Sequence, residues 1–395
     1  MRIFLTGGTG LVGHALTERL LMQPDVELDV LVRDRGGRSA MERFGEWLNA
    51  HPAARGRAMP VVGDLSHPRF GLDEAPWQAL AARTQAIAHV GASVDLTASL
   101  AAARRTNVVG TETVIELAQA ARRHRGDVVL HHVSTAYVAG QRTGAIRAPE
   151  LFRGVRFTNG YEQSKHEAEQ RVRESGLPAA IYRPSIVVGD SQTGWTNAFN
   201  VIYAPIRLCY LGRLPIYPAT DEPTLDIVPV DYVADALAFG ILHPDAVRGH
   251  TFHLAAGRGA SVSSRQLARW VASHLEQLVD EHGLRNPRRF RPVPVPVPVF
   301  RAGAWLRRRQ GGDTRFLDTF ATFLDYLAYP KVFDTTSSQE VFGAHGIRPP
   351  RLEDYLEVLC RYAVDTHFGR STTPRHVDVA ARTRGRSERR WKLTG

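Results

Sequence analysis

Cysteine is almost missing from this chain, with only Cys209 and Cys360 among 395 residues. That excludes a disulfide framework and a cysteine-rich metal site, and makes a reducing cytoplasm the expected setting. Lysine is almost missing too. Only Lys165, Lys331 and Lys392 occur, so nearly all of the 50 basic residues are arginine. Such a bias reads as the signature of a GC-rich genome, and no nucleic-acid partner is expected. No apolar run reaches the roughly 18 residues of a membrane-spanning helix. The opening MRIFLTGGTG reads as a strand from the start, so no signal peptide is expected. No repeat with a period of about 20 to 50 residues is visible, so a solenoid is not indicated.

What is present is an ordinary globular composition, 43% apolar and 23% charged. The length suggests two to three structural units. The formal net charge is +10, and six of those charges fall in residues 370–395, where eight basic residues face Asp378 and Glu388. This tail is poor in apolar residues and reads as disordered and solvated. It is a candidate for peripheral contact with an anionic membrane surface or carrier.

Through the first half, short apolar runs alternate with helical patterns. Arg2–Thr6, Glu27–Val32, Met59–Val62, Ala86–Val90, Val128–Val133 and Ala179–Arg183 read as strands. Helices are expected over Leu11–Leu21, Trp77–Ala82, Leu100–Arg123 and Glu162–Ser175. This alternation predicts an α/β fold, a Rossmann-type doubly wound parallel sheet. Later, Leu225–Val230 and Thr251–Leu254 read as strands. Ser264–Glu281 reads as a helix capped by Ser264, with Leu267, Trp270, Val271 and Leu275 on one face. Pro292–Phe300 (PVPVPVPVF) favours an extended path, and Leu352–Tyr362 reads as a last helix. The expected organisation is an NAD(P)-binding domain over 1–260 with a substrate-side insertion near 191–222. A smaller, mostly helical C-terminal subdomain over 261–368 would cover the substrate, and 369–395 would be the tail.

Thr6–Gly13 reads TGGTGLVG, with Gly7, Gly10 and Gly13 three residues apart between a strand and a helix. Glycines there let the backbone turn and approach a pyrophosphate at the helix N-terminus. Thr6, Leu11 and Val12 belong to the same loop. Twenty residues past Gly13 lies Arg33, where an acid would bind the ribose of NADH and an arginine favours the 2′-phosphate of NADPH. NADPH is therefore favoured over NADH, with Asp34, one place later, as the competing reading. Asp64 and Leu65 follow the third strand and are placed for the adenine. Gly91 follows the strand ending at Val90 and is assigned to the same cofactor site.

Tyr161 and Lys165 lie four residues apart, one turn of a helix, so both project from one face. An ammonium beside a phenol lowers its pKa and makes proton donation feasible near neutrality. With so few lysines, this spacing rarely arises by chance. Thr135 ends a strand upstream, where its hydroxyl can bond a substrate carbonyl, and Ser134 is the alternative. Asn107 sits inside a predicted helix, which Asn disfavours, and is a candidate for holding a water or a backbone kink near Lys165. The histidines show no ligand spacing, so no metal site is expected.

TGGTGLVG, the NVVGT segment after Thr106, Ser134-Thr135 and YEQSK occur in the order of the extended short-chain dehydrogenase/reductases, and the chain resembles that family. By that resemblance Thr135, Tyr161 and Lys165 form the catalytic triad and Asn107 supports it. VSTAYVAGQRTG, YRPSIVVGDSQTGWT, LDIVPVDYVADAL and TFHLAAG are similar to a narrower branch. That branch holds the fatty acyl-CoA reductases and the reductase domains that release carrier-bound chains. It implies that Arg183, Pro184 and Ser185 line the nicotinamide and that Asn197–Tyr210 helps form an acyl tunnel. It also implies a substrate on CoA or an acyl carrier protein, reduced to aldehyde or alcohol. A homodimer is compatible with this fold. The competing functions are a ketone or alcohol oxidoreductase and a nucleotide-sugar epimerase or dehydratase.

Overall fold

The structure is a computed structural model that describes residues 1–199, 201–281, 292–310, 320, 323, 324 and 326–371. The arginine-rich tail beyond 371, and with it the expected membrane or carrier contact, lies outside the described residues. A seven-stranded parallel sheet forms the frame. Its strands are β1 (Arg2–Thr6), β2 (Glu27–Val32), β3 (Ala58–Val62), β4 (Ala86–His89), β5 (Val129–Val133), β7 (Ala179–Pro184) and β11 (Thr251–Leu254). Their order is β3-β2-β1-β4-β5-β7-β11, and every pairing is parallel. This is the doubly wound arrangement expected from the alternating pattern. Outside this sheet, β6 (Gly144–Ile146) pairs with β13 (Lys331–Phe333), and β8 (Ile186–Val188) with β10 (Ile227–Pro229).

Both faces of the sheet are covered. Ile3 and Leu5 pack with Leu16 and Leu20 of α1 (Leu11–Leu20) and with Val233 and Leu237 of α7 (Val230–Leu242). Phe4 and Ile87 point the other way, toward Leu80 of α3 (Glu74–Arg83) and Val114 and Leu117 of α4 (Leu100–Arg125). Strands apolar on both sides cannot face water, which is why these segments read as continuous hydrophobic runs. α4 also packs along α5 (Gly160–Glu174).

A helix not anticipated from the sequence, α2 (Ala40–Ala50), follows β2. Ser39 and Glu42 close a reciprocal capping box at its start, a four-residue signature legible in the sequence. The Pro292–Phe300 run is extended only over β12 (Val293–Pro296), which pairs with β9 (Ile216–Ala219). Helix α9 (Val297–Arg309) begins inside the run. Proline fits the first helical turn because its missing N–H has no intrahelical acceptor there. The cap of α8 (Ser264–Glu281) also differs from expectation. Ser263 Oγ accepts from the Gln266 N–H (3.0 Å), while Ser264 Oγ accepts from the Thr220 N–H (2.9 Å).

The second half builds its own apolar cluster. Leu267, Val271, Leu275 and Leu278 of α8 join Ile206 and Cys209 of α6 (Tyr203–Tyr210), and Leu356 and Leu359 of α11 (Leu356–Asp365). Tyr137, just past β5, and Phe333 of β13 belong to the same cluster. By contrast, α10 (Thr336–Val341) returns to β11, and Phe342 enters the core under α7.

Candidate active site

A groove of about 510 Å³ runs across the C-terminal ends of the central strands. The loop between β1 and α1 forms its floor. Gly7 has φ +73°, and a Cβ there would lie 2.6 Å from the Gly91 nitrogen. A Cβ on Gly13 would lie 2.1 Å from the Gly7 oxygen. Gly10 is exposed and caps α1 without any side-chain hydrogen bond. The first turn of α1 therefore keeps free N–H groups beside an open backbone, the arrangement that receives phosphate. Leu11, Val12, Leu65 and Gly91 line the same groove.

At the far end of β2, Arg33 lines the groove and pairs with Asp64 at 2.8 Å. Asp34 turns elsewhere, accepting from the Ala40 N–H at 2.7 Å as α2 begins. Arg35 and Arg43, which sequence reasoning passed over, line the groove beside Arg33. Burial and the neighbouring Arg35 and Arg33 hold the Arg43 guanidinium below its ordinary pKa, the mark of crowded positive charge.

Thr6 does not line the groove; its side chain is fully buried. The Gly91 N–H donates to Thr6 Oγ1 (3.0 Å), which lies 2.8 Å from His89 Nδ1. His89 Nε2 lies 2.9 Å from Thr111 Oγ1, which donates to the Asn107 carbonyl at 2.7 Å. With the Thr111 proton spent on that carbonyl, Nε2 must carry the histidine's proton and Nδ1 must accept from Thr6. This requires a neutral ring, and burial, helped by Lys165, pulls the His89 pKa down to about 3. The Asn107 side chain continues the network. It accepts from the Ser93 N–H (2.7 Å) and donates to the Ser93 carbonyl (3.1 Å) and to Ser164 Oγ (2.9 Å). Asn107 thus acts as a backbone brace, outside the groove lining, that ties the segment after Gly91 to the helix carrying Tyr161.

Asn159 caps α5, accepting from the Glu162 N–H at 2.9 Å. Tyr161 and Lys165 then share a face and both line the groove. Lys165 Nζ donates to the Val133 carbonyl at 2.8 Å. Its pKa drops to about 8, because burial outweighs the attraction of Glu169. The expected depression of the Tyr161 pKa is not found. Burial pushes the phenol up to about 12, and a hydrogen bond with Thr135 only partly opposes this. The ammonium is directed at the β5 backbone, so burial dominates.

Thr135 and Ser134 are now distinguishable. Ser134 Oγ donates to Glu169 at 2.7 Å and is committed there. The Thr135 hydroxyl meets Tyr161 in the groove. Glu169, missed from the sequence although it stands four residues past Lys165, is fully buried. Arg183 (2.7 Å) and Arg173 (2.9 Å) hold it ionised, with its pKa lowered to about 2. Arg183 was expected to line the nicotinamide, but its side chain is 1% exposed and faces away. It is consumed by Glu169 and by the Ala148 and Glu150 carbonyls at 3.0 and 2.8 Å. Pro184 and Ser185 do line the groove.

His131 and His132 are buried on β5, and desolvation lowers both pKa values, that of His131 to about 3. Among the described residues, no three His, Cys, Asp or Glu side chains gather as metal ligands. Nor is any described helix long and apolar enough to cross a membrane.

Residues 5–237 match the NAD-binding family described as male sterility protein. The chain belongs to that family, within the thioester-reductase branch of the extended short-chain dehydrogenase/reductases. It is accordingly an NAD(P)H-dependent oxidoreductase. This reductase is 34% identical over 263 residues to a linear gramicidin synthase polypeptide of Brevibacillus parabrevis, covering 63% of the chain and 5% of that protein. It is 31% identical over 323 residues to the aldehyde reductase lnaA of Aspergillus flavus, covering 74% of the chain and 30% of that protein. The chain thus spans less than a third of either relative. Among solved structures, the terminal R domain of the myxalamid PKS-NRPS pathway matches with a TM-score of 0.75 and 28% identity, covering 94% and 92% of the two chains. A nicotinamide cofactor goes with this family, and the uncapped α1 terminus, the open Gly10 backbone and the crowded glycines fit its pyrophosphate.

Proposed function

We propose that this reductase uses NADPH to release an acyl chain from a thioester, on a carrier protein or CoA, as an aldehyde. The observation that carries the reading is the meeting of the Thr135 and Tyr161 hydroxyls in the same groove as the glycine loop, with Lys165 behind them. The likeness to gramicidin synthase and to the myxalamid R domain supports a carrier-bound substrate. Arg33, Arg35 and Arg43 crowded at the groove's end, with Asp34 turned to α2, support a cofactor bearing a 2′-phosphate.

The bound cofactor supplies the hydride. Thr135 and Tyr161 hydrogen-bond the acyl oxygen, and their dipoles oppose the negative charge that develops on it. Burial keeps Tyr161 protonated at neutral pH, so it acts as donor and delivers its proton to that oxygen. The resulting hemithioacetal loses its C–S bond, giving the aldehyde and a free thiol. Lys165 provides fixed positive charge beneath the phenol and holds α5 against β5. The described residues of 191–222 and many of those of 261–368 form the acyl-side wall in this reading. Ile202, Ile206 and Leu267 line a small apolar cavity of about 50 Å³ there, which suits a hydrocarbon end.

The test is NADPH oxidation with a long-chain acyl-CoA and with an acyl-loaded carrier protein, scored with thiol and carbonyl product. Thiol release equal to NADPH consumed supports the aldehyde, and twice as much NADPH as thiol means the alcohol. Oxidation of NADPH by ketones, with no thiol release from any thioester, overturns the reading.

A further inference from the structure

One hydroxyl in the groove has no task in this chemistry. Tyr137 sits two residues past Thr135 in a short 3-10 turn, and its N–H donates to Thr135 Oγ1 at 3.3 Å. Its ring is fixed edge-on against Tyr326 (4.5 Å between centroids) and Phe333 (5.5 Å). The side chain is 5% exposed yet lines the groove with Thr135 and Tyr161. Its phenolic oxygen is buried and has no hydrogen-bond partner among the described residues.

An unpaired buried hydroxyl destabilises a protein. Phenylalanine would fill the same space, keep both ring contacts and avoid that cost. The neighbours of the ring, Tyr326 and Phe333, belong to the second-half cluster, so the ring stands where that cluster meets the groove. Burial holds the phenol neutral, well above the ordinary tyrosine pKa. It can therefore donate a hydrogen bond but cannot serve as a second anionic base.

We propose that Tyr137 donates a hydrogen bond to an acceptor oxygen on the acyl chain close to the thioester carbonyl. The site would thereby select acyl groups oxygenated near the carbonyl over plain fatty chains. Its adjacency to Thr135, which bonds the carbonyl itself, sets the reach to the first few carbons. The inference rests on the thioester reading above.

The experiment compares octanoyl and 3-hydroxyoctanoyl thioesters of N-acetylcysteamine, measuring kcat/KM by thiol release for the wild type and Tyr137→Phe. The wild type is expected to favour the hydroxy substrate by about tenfold or more. In Tyr137→Phe that ratio falls toward one, because the loss lies with the hydroxy substrate. The melting temperature and NADPH affinity of the variant should hold or improve. A ratio unchanged by the substitution, or a wild type that prefers octanoyl, overturns the inference and leaves the thioester reading standing. Equal loss on both substrates with a lowered melting temperature makes Tyr137 a packing residue and also overturns it. The same pair of acyl groups is also offered on a carrier protein, and no thiol release by the wild type from either acyl group on either support overturns the thioester reading and the inference together.

Discussion

The two walls of the groove are built on different physics. On the cofactor wall, backbone sterics and buried hydrogen bonds decide the geometry: Gly13 cannot carry a Cβ, and Thr6, His89 and Asn107 have their polar atoms assigned. On the wall proposed to hold the acyl chain, apolar packing dominates. Leu267, Ile206 and Leu359 fill one cluster in which many similar side chains would serve. A wall made of specific bonds tolerates little change, while one made of apolar volume can drift and retune its substrate. This difference explains why one fold hosts many specificities behind a constant cofactor loop.

Four substitutions bear on this contrast, from the largest expected effect to the smallest. Tyr161→Phe should cut turnover by about 100- to 10,000-fold while NADPH titration stays near wild type. Retained turnover would remove the phenol from the chemistry. Glu169→Gln leaves the Arg183 guanidinium without its charge partner in a site closed to water. A stability loss of about 3–5 kcal/mol is expected in urea unfolding, and near-neutrality would show that the Ala148 and Glu150 carbonyls suffice. Arg33→Ala should weaken NADPH on the order of tenfold and NADH hardly at all. Equal losses would move the 2′-phosphate contact to Arg35 or Arg43. On the acyl wall, Leu267→Met should cost under about 1.5 kcal/mol and leave cofactor affinity unchanged. A large loss there would erase the contrast between the walls.

The same contrast governs what could be read from the sequence. The sheet, the glycine loop and the Tyr161/Lys165 face were legible because backbone rules force residue types at fixed spacings. Thr135 was favoured over Ser134 from the sequence, but what commits the serine elsewhere was not legible: Glu169 claims it, a contact between residues 35 apart. Arg183 was misplaced for the same reason: a charge is drawn to its buried partner, and the sequence does not display that pairing. The direction of the Tyr161 shift was missed because a spacing reveals the neighbouring ammonium but not the depth of burial. Helix α9 was hidden by prolines that a first helical turn accepts. The capping box before α2, by contrast, was present in the sequence and went unused.

The hydrogen bonds running from the glycine loop to α5 also bear on how the enzyme comes into being. Thr6 reaches His89 across 83 residues, Gly91 reaches back to Thr6 across 85, and Asn107 reaches Ser164 across 57. No local stretch of chain can make these links, and each must wait for the loop it spans to close. A chain in which α5 has not yet docked is therefore expected to lack a braced cofactor loop as well. The ability to hold the dinucleotide and the ability to use it would then appear in one cooperative step, late in folding.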